Sequence, residues 1–415
     1  MQVFDHQTTV TSTLTQRAIN MTEQLYKTPK YLIVLLSALV AFGPLSIDMY
    51  LPSLPAIATD MNTHVAAVQK TITIFLIGFS IGMLIYGPLS DRYGRKKLLM
   101  IGMVVYVLST LGCIFAKDIE QLQWMRLLQA LGGASASVLS RALVRDLFSN
   151  TEIPKILSLM HIITMIATLI APLAGALIIE YFHWTGVFIF LLIYSLMCML
   201  WAKFSIHSPA PKTQPAGVMS NYKVVLSNRY AWSFMLCNSF SFGGMFAYIT
   251  ASSFIFIHYY DFSPQQYAYL FAFNIFSIII FTSINSRALK KYSAFQLLKV
   301  MSAISCSAGL YLACITFFKL EAVELLIVGL MIYVGVTGSI GANSIANLLK
   351  LLPQQAGTAS GLAVSMQFAM GALLSYIVSL FFINNHPASM SWVIFIAASL
   401  GFTSLLLSRG MKDIN

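Results

Sequence analysis

The chain has 415 residues, of which 58% are hydrophobic and only 9% charged. Soluble domains carry about 25% charged residues, so this composition excludes an ordinary water-soluble globule and calls for a bilayer. The net charge of +11 would suggest a nucleic-acid partner in a soluble protein, but here its placement along the chain gives another explanation.

Residues 1–30 are polar and Ser/Thr-rich, with no apolar core or small-residue cleavage site, and read as a cytoplasmic N-terminal tail. A spanning helix takes about 20 apolar residues. Apolar runs predict six helices at 31–54, 68–89, 98–116, 121–143, 156–180 and 184–204. Six more follow at 231–257, 265–286, 297–318, 323–346, 357–383 and 390–408. Between the two sets, 205–230 reads as a cytoplasmic linker, marked by Pro209, Pro211, Pro215 and Gly217. Residues 409–415 form a short C-terminal tail. The expected fold is therefore an all-α polytopic membrane protein, twelve transmembrane helices in two pseudo-symmetric six-helix bundles, 31–204 and 231–408.

Lysine and arginine set the orientation. Of the 25 such residues, Lys70, Lys117 and Lys319 fall on one side of the membrane and Arg126 lies inside a span. All the others fall on the side that holds both termini. That bias predicts cytoplasmic termini in a cell inner membrane. Cys113, Cys198, Cys237, Cys306 and Cys314 all lie in apolar runs without metal-ligand spacing, so neither disulfides nor a zinc site is expected.

The loop after the second span reads Gly87-Pro88-Leu89-Ser90-Asp91-Arg92-Tyr93-Gly94-Arg95-Lys96-Lys97. It resembles the G-x-L-(small)-D-R-x-G-R-K pattern of the major facilitator superfamily. Gly87, Asp91, Arg92, Gly94 and Arg95 fill its diagnostic positions. A degenerate copy, Asn285-Ser286-Arg287-Ala288-Leu289-Lys290-Lys291, occupies the equivalent place in the second half. In the fourth span, Arg126-Leu127-Leu128-Gln129-Ala130 is similar to R-x-x-Q-G, with alanine for the glycine. In the fifth, Ala171-Pro172-Leu173-Ala174-Gly175-Ala176 is similar to the antiporter pattern G-P-x-x-G-G, keeping Pro172 and Gly175. Asp48-Met49-Tyr50-Leu51-Pro52-Ser53-Leu54-Pro55, Arg145-Asp146 and Ala356-Gly357-Thr358-Ala359-Ser360-Gly361 resemble the bicyclomycin/chloramphenicol-resistance branch. The resemblance covers Tyr31 to Arg409. It implies proton-driven export of small, partly apolar compounds, a cytoplasmic gate built on Asp91, and function as a monomer.

Among the acids, Asp48 alone falls within a span. A carboxylate there marks either a functional site or an interfacial residue helped by Pro52 and Pro55. Arg126 lies at similar depth and is expected to partner it, either as a switchable pair or as a fixed structural one. Gln129 is expected to help position substrate. Asn238, Asn274, Asn343 and Gln367 either line a cavity or bond between helices. Phe242 and Phe246, in an aromatic-rich seventh span, either line that cavity or face lipid. Arg141 either snorkels to the cytoplasmic face or attracts an anionic substrate.

No phosphate-binding loop, zinc-protease motif or nucleophile elbow occurs. The reading is a secondary transporter rather than an enzyme, without cofactor, with protons, a small molecule and the lipid bilayer as its partners. Export of an endogenous metabolite such as a siderophore, and proton-coupled uptake, are the alternatives.

Overall fold

The computed structural model describes residues 30–149, 151–206, 218–320, 322–382 and 386–408. The expected tails 1–29 and 409–415, and the proline-rich part of the linker, lie outside the described residues.

The first crossing is broken into α1 (Lys30–Val40), α2 (Phe42–Asp48), a 3-10 turn at Leu51–Ser53, and α3 (Leu54–Asp60). Five helices follow: α4 (Val65–Tyr93), α5 (Arg95–Ile114), α6 (Ile119–Leu147), α7 (Ile153–Tyr181) and α8 (Thr185–Ser205). A short α9 (Val218–Ser227) precedes α10 (Arg229–Phe254), α11 (Pro264–Ala288), α12 (Ala294–Phe317), α13 (Val323–Leu351), α14 (Ala356–Leu380) and α15 (Ala388–Ser404). Among the described residues, 10 helices are long and apolar enough to cross a membrane, and the bent α1–α3 run makes an eleventh. The 17-residue α15 continues into a 3-10 turn at Leu405–Ser408. Together these are long enough for a twelfth crossing of about 30 Å.

Local chemistry sets the ends. Gly94 adopts φ +92°, a left-handed conformation that only glycine takes freely, and this allows α4 to end and α5 to begin across one residue. Asp118 caps α6 by accepting from the Gln121 amide at 2.8 Å. Ser263 with Gln266, and Ser293 with Gln296, form capping boxes that open α11 and α12. The α9 helix falls within the predicted linker. After Gly217 the sequence holds no further proline or glycine before Gly243, and Val225 anchors the helix by burying completely against the second half.

Within the first half, α4 and α5 both pack on α6, and α5 also packs on α8. Within the second, α10 packs on α13, α14 and α15, and α12 on α13 and α15. The halves meet along two seams, α4 against α14 and α7 against α11. These are the second span on the eleventh and the fifth on the eighth, a symmetric pair.

Core packing differs between the two faces. On the face opposite the Gly87–Lys97 loop, one apolar cluster runs through both halves, joining Ile47, Tyr50, Phe75 and Phe79 to Phe246, Tyr248, Phe254, Tyr267 and Phe271. On the loop face the halves keep separate cores. Leu35, Leu99, Leu143 and Ala202 belong to one; Phe234, Leu298, Ile340 and Ala363 belong to the other. The helices are thus sealed together on one side of the membrane and divided on the other.

Candidate functional site

Asp48 ends α2 between two prolines. Pro44 has no N–H to give the Val40 carbonyl, and the first crossing bends by 44° at this break. Ser137 of α6 donates to the released Val40 oxygen at 3.3 Å. Pro52 interrupts the ladder again just beyond Asp48, where the backbone tightens to a 3-10 turn. Gly175 of α7 packs directly against the Met49 backbone; a side chain there would collide with the Met49 carbonyl. Pro172 and Gly175 are both buried one turn apart, so the helix-5 motif braces the broken stretch that carries Asp48.

Asp48 is 5% exposed and forms no hydrogen bond or ion pair among the described residues. It lies near enough to Tyr248 and Tyr267, both in the second half, for their electrostatics to be linked. Asn274 donates to the Tyr248 hydroxyl at 2.9 Å, and the hydroxyls of Tyr267 and Ser252 are bonded at 2.8 Å. Asp48 therefore looks across the sealed seam.

Arg126 does not partner it. Fully buried within the first half, its guanidinium lies 4.5 Å from the Tyr50 ring centroid, 4.3 Å from Phe75 and 5.9 Å from Phe188. Nη1 donates to Gln129 Oε1 at 2.7 Å, and Gln129 Nε2 donates to Thr110 Oγ1 at 2.8 Å. Nε and Nη2 have no hydrogen-bond partner among the described residues. The reason is azimuth rather than depth. Tyr50 follows Asp48 by two residues, about 200° around a helix, so when Tyr50 faces the interior of the first half, Asp48 faces away from it.

The expected cavity residues do not gather on one surface. Gln129 is occupied within the first half, as above. Asn343 exchanges two hydrogen bonds with Asn285, at 2.9 and 3.3 Å, tying α13 to α11. Asn274 bonds Tyr248. Asn238 donates to Gln367 at 3.2 Å, linking α10 to α14, and the Asn238 side-chain oxygen has no hydrogen-bond partner among the described residues. Phe242 is half-buried beside Gly341 and Asn238. Phe246 stacks toward Phe368 at 5.7 Å, and Phe368 lies 4.7 Å from Phe79 of α4. Asn238 and Gln367 thus join α10 to α14, Phe246 reaches the α4–α14 seam through Phe368, and Phe242 lies against α13 at Gly341.

Sequence reasoning missed several seam residues. Ser80 and Ser365 donate reciprocally to one another's carbonyls at 2.8 and 3.0 Å, stapling α4 to α14. Gln69 and Thr73 lie on the Ser80 face of α4, buried, with polar atoms that find no hydrogen-bond partner among the described residues. A period of three to four polar residues along an otherwise apolar helix was the available signal.

On the loop face, Arg95 binds Asp91 at 3.0 Å, Ser90 at 3.1 Å, and Asp146 of α6. All of these belong to the first half. Arg92 lies over the neighbouring Tyr93 ring at 5.3 Å. Gly87 has open space around it. The expected gate is assembled as a clamp among α4, α5 and α6 and does not bridge the halves, in keeping with the divided core on this face. Asp146, quoted above only as part of a resemblance, is its second acid. No group of three or more metal-ligating side chains occurs among the described residues.

Two halves sealed at one face and divided at the other, with an unpaired acid on the seam, define a polytopic membrane transporter rather than an enzyme. The chain belongs to the Major Facilitator Superfamily, whose family model matches residues 35–375. It is 33% identical to a bicyclomycin resistance protein homolog of Haemophilus influenzae, over 84% of this chain and 88% of that one. A chloramphenicol resistance protein of Pseudomonas aeruginosa is 25% identical, over 87% and 85%. The crystal structure of a D-xylose-proton symporter superposes with a TM-score of 0.73 at 15% identity, covering 92% of this chain and 98% of that one, a likeness of fold.

Proposed function

We propose that this protein exports small, partly apolar compounds, antibiotics among them, across a bacterial inner membrane in exchange for protons. Both termini are cytoplasmic in this reading, the halves 31–204 and 231–408 rock about the seam, and 205–230 links them. The divided loop face is then the cytoplasmic mouth of an inward-facing state. The names of the resistance-protein relatives support the substrate class.

The observation that carries the coupling is the burial of unpaired Asp48 where the halves meet. Neutral, it fits a dry seam; ionised and unpartnered there, it costs several kcal/mol. Protonation from outside therefore lets the outer seam close. Proton loss to the cytoplasm, with substrate entering the mouth, makes closure costly and favours reopening outward. Tyr248 and Tyr267 are the second-half groups that Asp48 approaches as the seam closes, and Arg126 holds helices of the first half in register around it.

Proton flux in proteoliposomes under an imposed pH gradient tests this. Chloramphenicol should trigger proton movement in the wild type and not in Asp48→Asn. Unchanged coupling in the variant would move the carrier elsewhere.

A further inference from the structure

The divided face carries a second charge pattern that the transport cycle above does not use. Arg141 and Arg145 stand one turn apart near the end of α6, both exposed, and neither forms a hydrogen bond or ion pair among the described residues. Unpaired neighbouring arginines repel, and the Arg145 charge acts on Arg141. His161 of α7 lies near enough to Arg141 to sense its charge.

These side chains belong to the cleft rather than to lipid. Leu128 marks the outward side of α6, being 40% exposed. Arg141 follows it by thirteen residues, roughly 220° around the helix at about 100° per residue. On α7, Leu159, Ile162, Ile166 and Ile170 form the exposed apolar stripe. His161 falls on a different stripe, shared with Ser158, Thr168 and Gly175, and Gly175 packs inward on Met49. The Arg145 guanidinium reaches the other half, where Nη1 lies 3.5 Å from the position a Cβ would take on Gly357.

No acid pairs with Arg141 or Arg145 among the described residues. Asp91 and Asp146 are both held by Arg95, and Glu152 accepts from Ser149 at 2.7 Å. The second half adds more positive potential. The N-terminus of α14 opens at Ala356 beside Arg145 with no side-chain cap, and Gly361, one turn in, has open space before it.

We propose that Arg141, Arg145 and His161, with the start of α14, form an anion-binding site in the mouth of the cleft. It takes a carboxylate, sulfonate or phosphate on an otherwise apolar molecule and disfavours permanent cations. The anion comes from a substrate or from a lipid headgroup; assigning it to a substrate rests on the export reading, whereas the binding site does not.

The test is fluorescence anisotropy on the full-length protein in phosphatidylcholine nanodiscs, with fluorescein as anion and rhodamine 6G as a cation of similar shape. Fluorescein should bind more tightly. Arg141→Gln should weaken it by about tenfold or more, as expected for loss of a charge-assisted contact, and leave rhodamine 6G no weaker. Arg141→Lys should recover part of the loss, and Lys290→Gln, an equal charge change outside the cleft, should alter nothing. Gly357→Asp is the second variant, placing a carboxylate beside Arg145 at a position where helix N-termini accept acids; it too should weaken fluorescein. Adding phosphatidylglycerol separates the sources, because competition with fluorescein identifies a headgroup and its absence a substrate. Equal affinity for the two dyes, or fluorescein binding unchanged in both Arg141→Gln and Gly357→Asp, would overturn the site. Chloramphenicol-driven proton flux is read separately, so failure of the export reading leaves this result interpretable.

Discussion

Asp48 and Arg126 are both buried charges, yet their surroundings differ in kind. Arg126 sits inside one half, among three aromatic rings and the Gln129 amide. Asp48 sits where two halves meet and has no partner at all among the described residues. A caged charge is tolerated because its company moves with it. An unpaired carboxylate on a seam is tolerated only while neutral, so in the proposed cycle its protonation and the closure of the seam are one equilibrium. Under the proposed export cycle, burial alone does not mark a coupling residue; burial across the boundary between the halves does.

The largest effect that would break this comparison is the loss of coupling in Asp48→Asn. Removing a proton-carrying group should lower coupled flux by about 10²-fold or more, while the thermal unfolding midpoint stays level or rises, because the amide carries no charge to desolvate. A large fall in stability would instead make Asp48 a structural residue like Arg126. Next comes Gly175→Val. Its side chain would collide with the Met49 carbonyl, and overpacking of this kind costs about 1–3 kcal/mol. Denaturant unfolding in mild detergent would read that loss; no change would mean that α7 does not brace the Asp48 stretch.

Arg126→Lys sharpens the other side. Lysine loses the flat guanidinium that faces Tyr50 and Phe75, worth about 0.5–2 kcal/mol in ring contacts. Stability should fall measurably while the proton stoichiometry per substrate is retained. A changed stoichiometry would give Arg126 the role here assigned to Asp48. The smallest change, Ser80→Ala, removes one of two reciprocal bonds between α4 and α14, about 1 kcal/mol. Cysteine-accessibility labelling on the sealed face should then detect a larger outward-open fraction.

Much of the fold could be read from the chain. Apolar runs found the spans to within a few residues because the bilayer fixes their length, and the loop from Gly87 to Lys97 announced the family. The Asp48–Arg126 pairing failed because rise per residue gives depth but not direction, and the two-residue step from Asp48 to Tyr50 decides which half each faces. The amides were ambiguous for a related cause: Asn343 with Asn285, and Asn238 with Gln367, are matched by helix packing, which no single helix records. The α9 helix was hidden by the prolines just before it. Asp91 and Arg95 were legible as a set, but their closure on Asp146 depends on how α4, α5 and α6 pack, which no single helix records.

The shared apolar core on the sealed face has an electrical consequence. From Phe75 through Phe246 to Phe271 it is a buried apolar layer joining both halves, and an ion entering it would surrender its hydration, at an idealised cost of order 20 kcal/mol. A cleft flooded from the loop face therefore ends against an insulator. In the proposed export cycle, this layer lets the protein dwell facing inward, waiting for cargo, without leaking ions across the membrane.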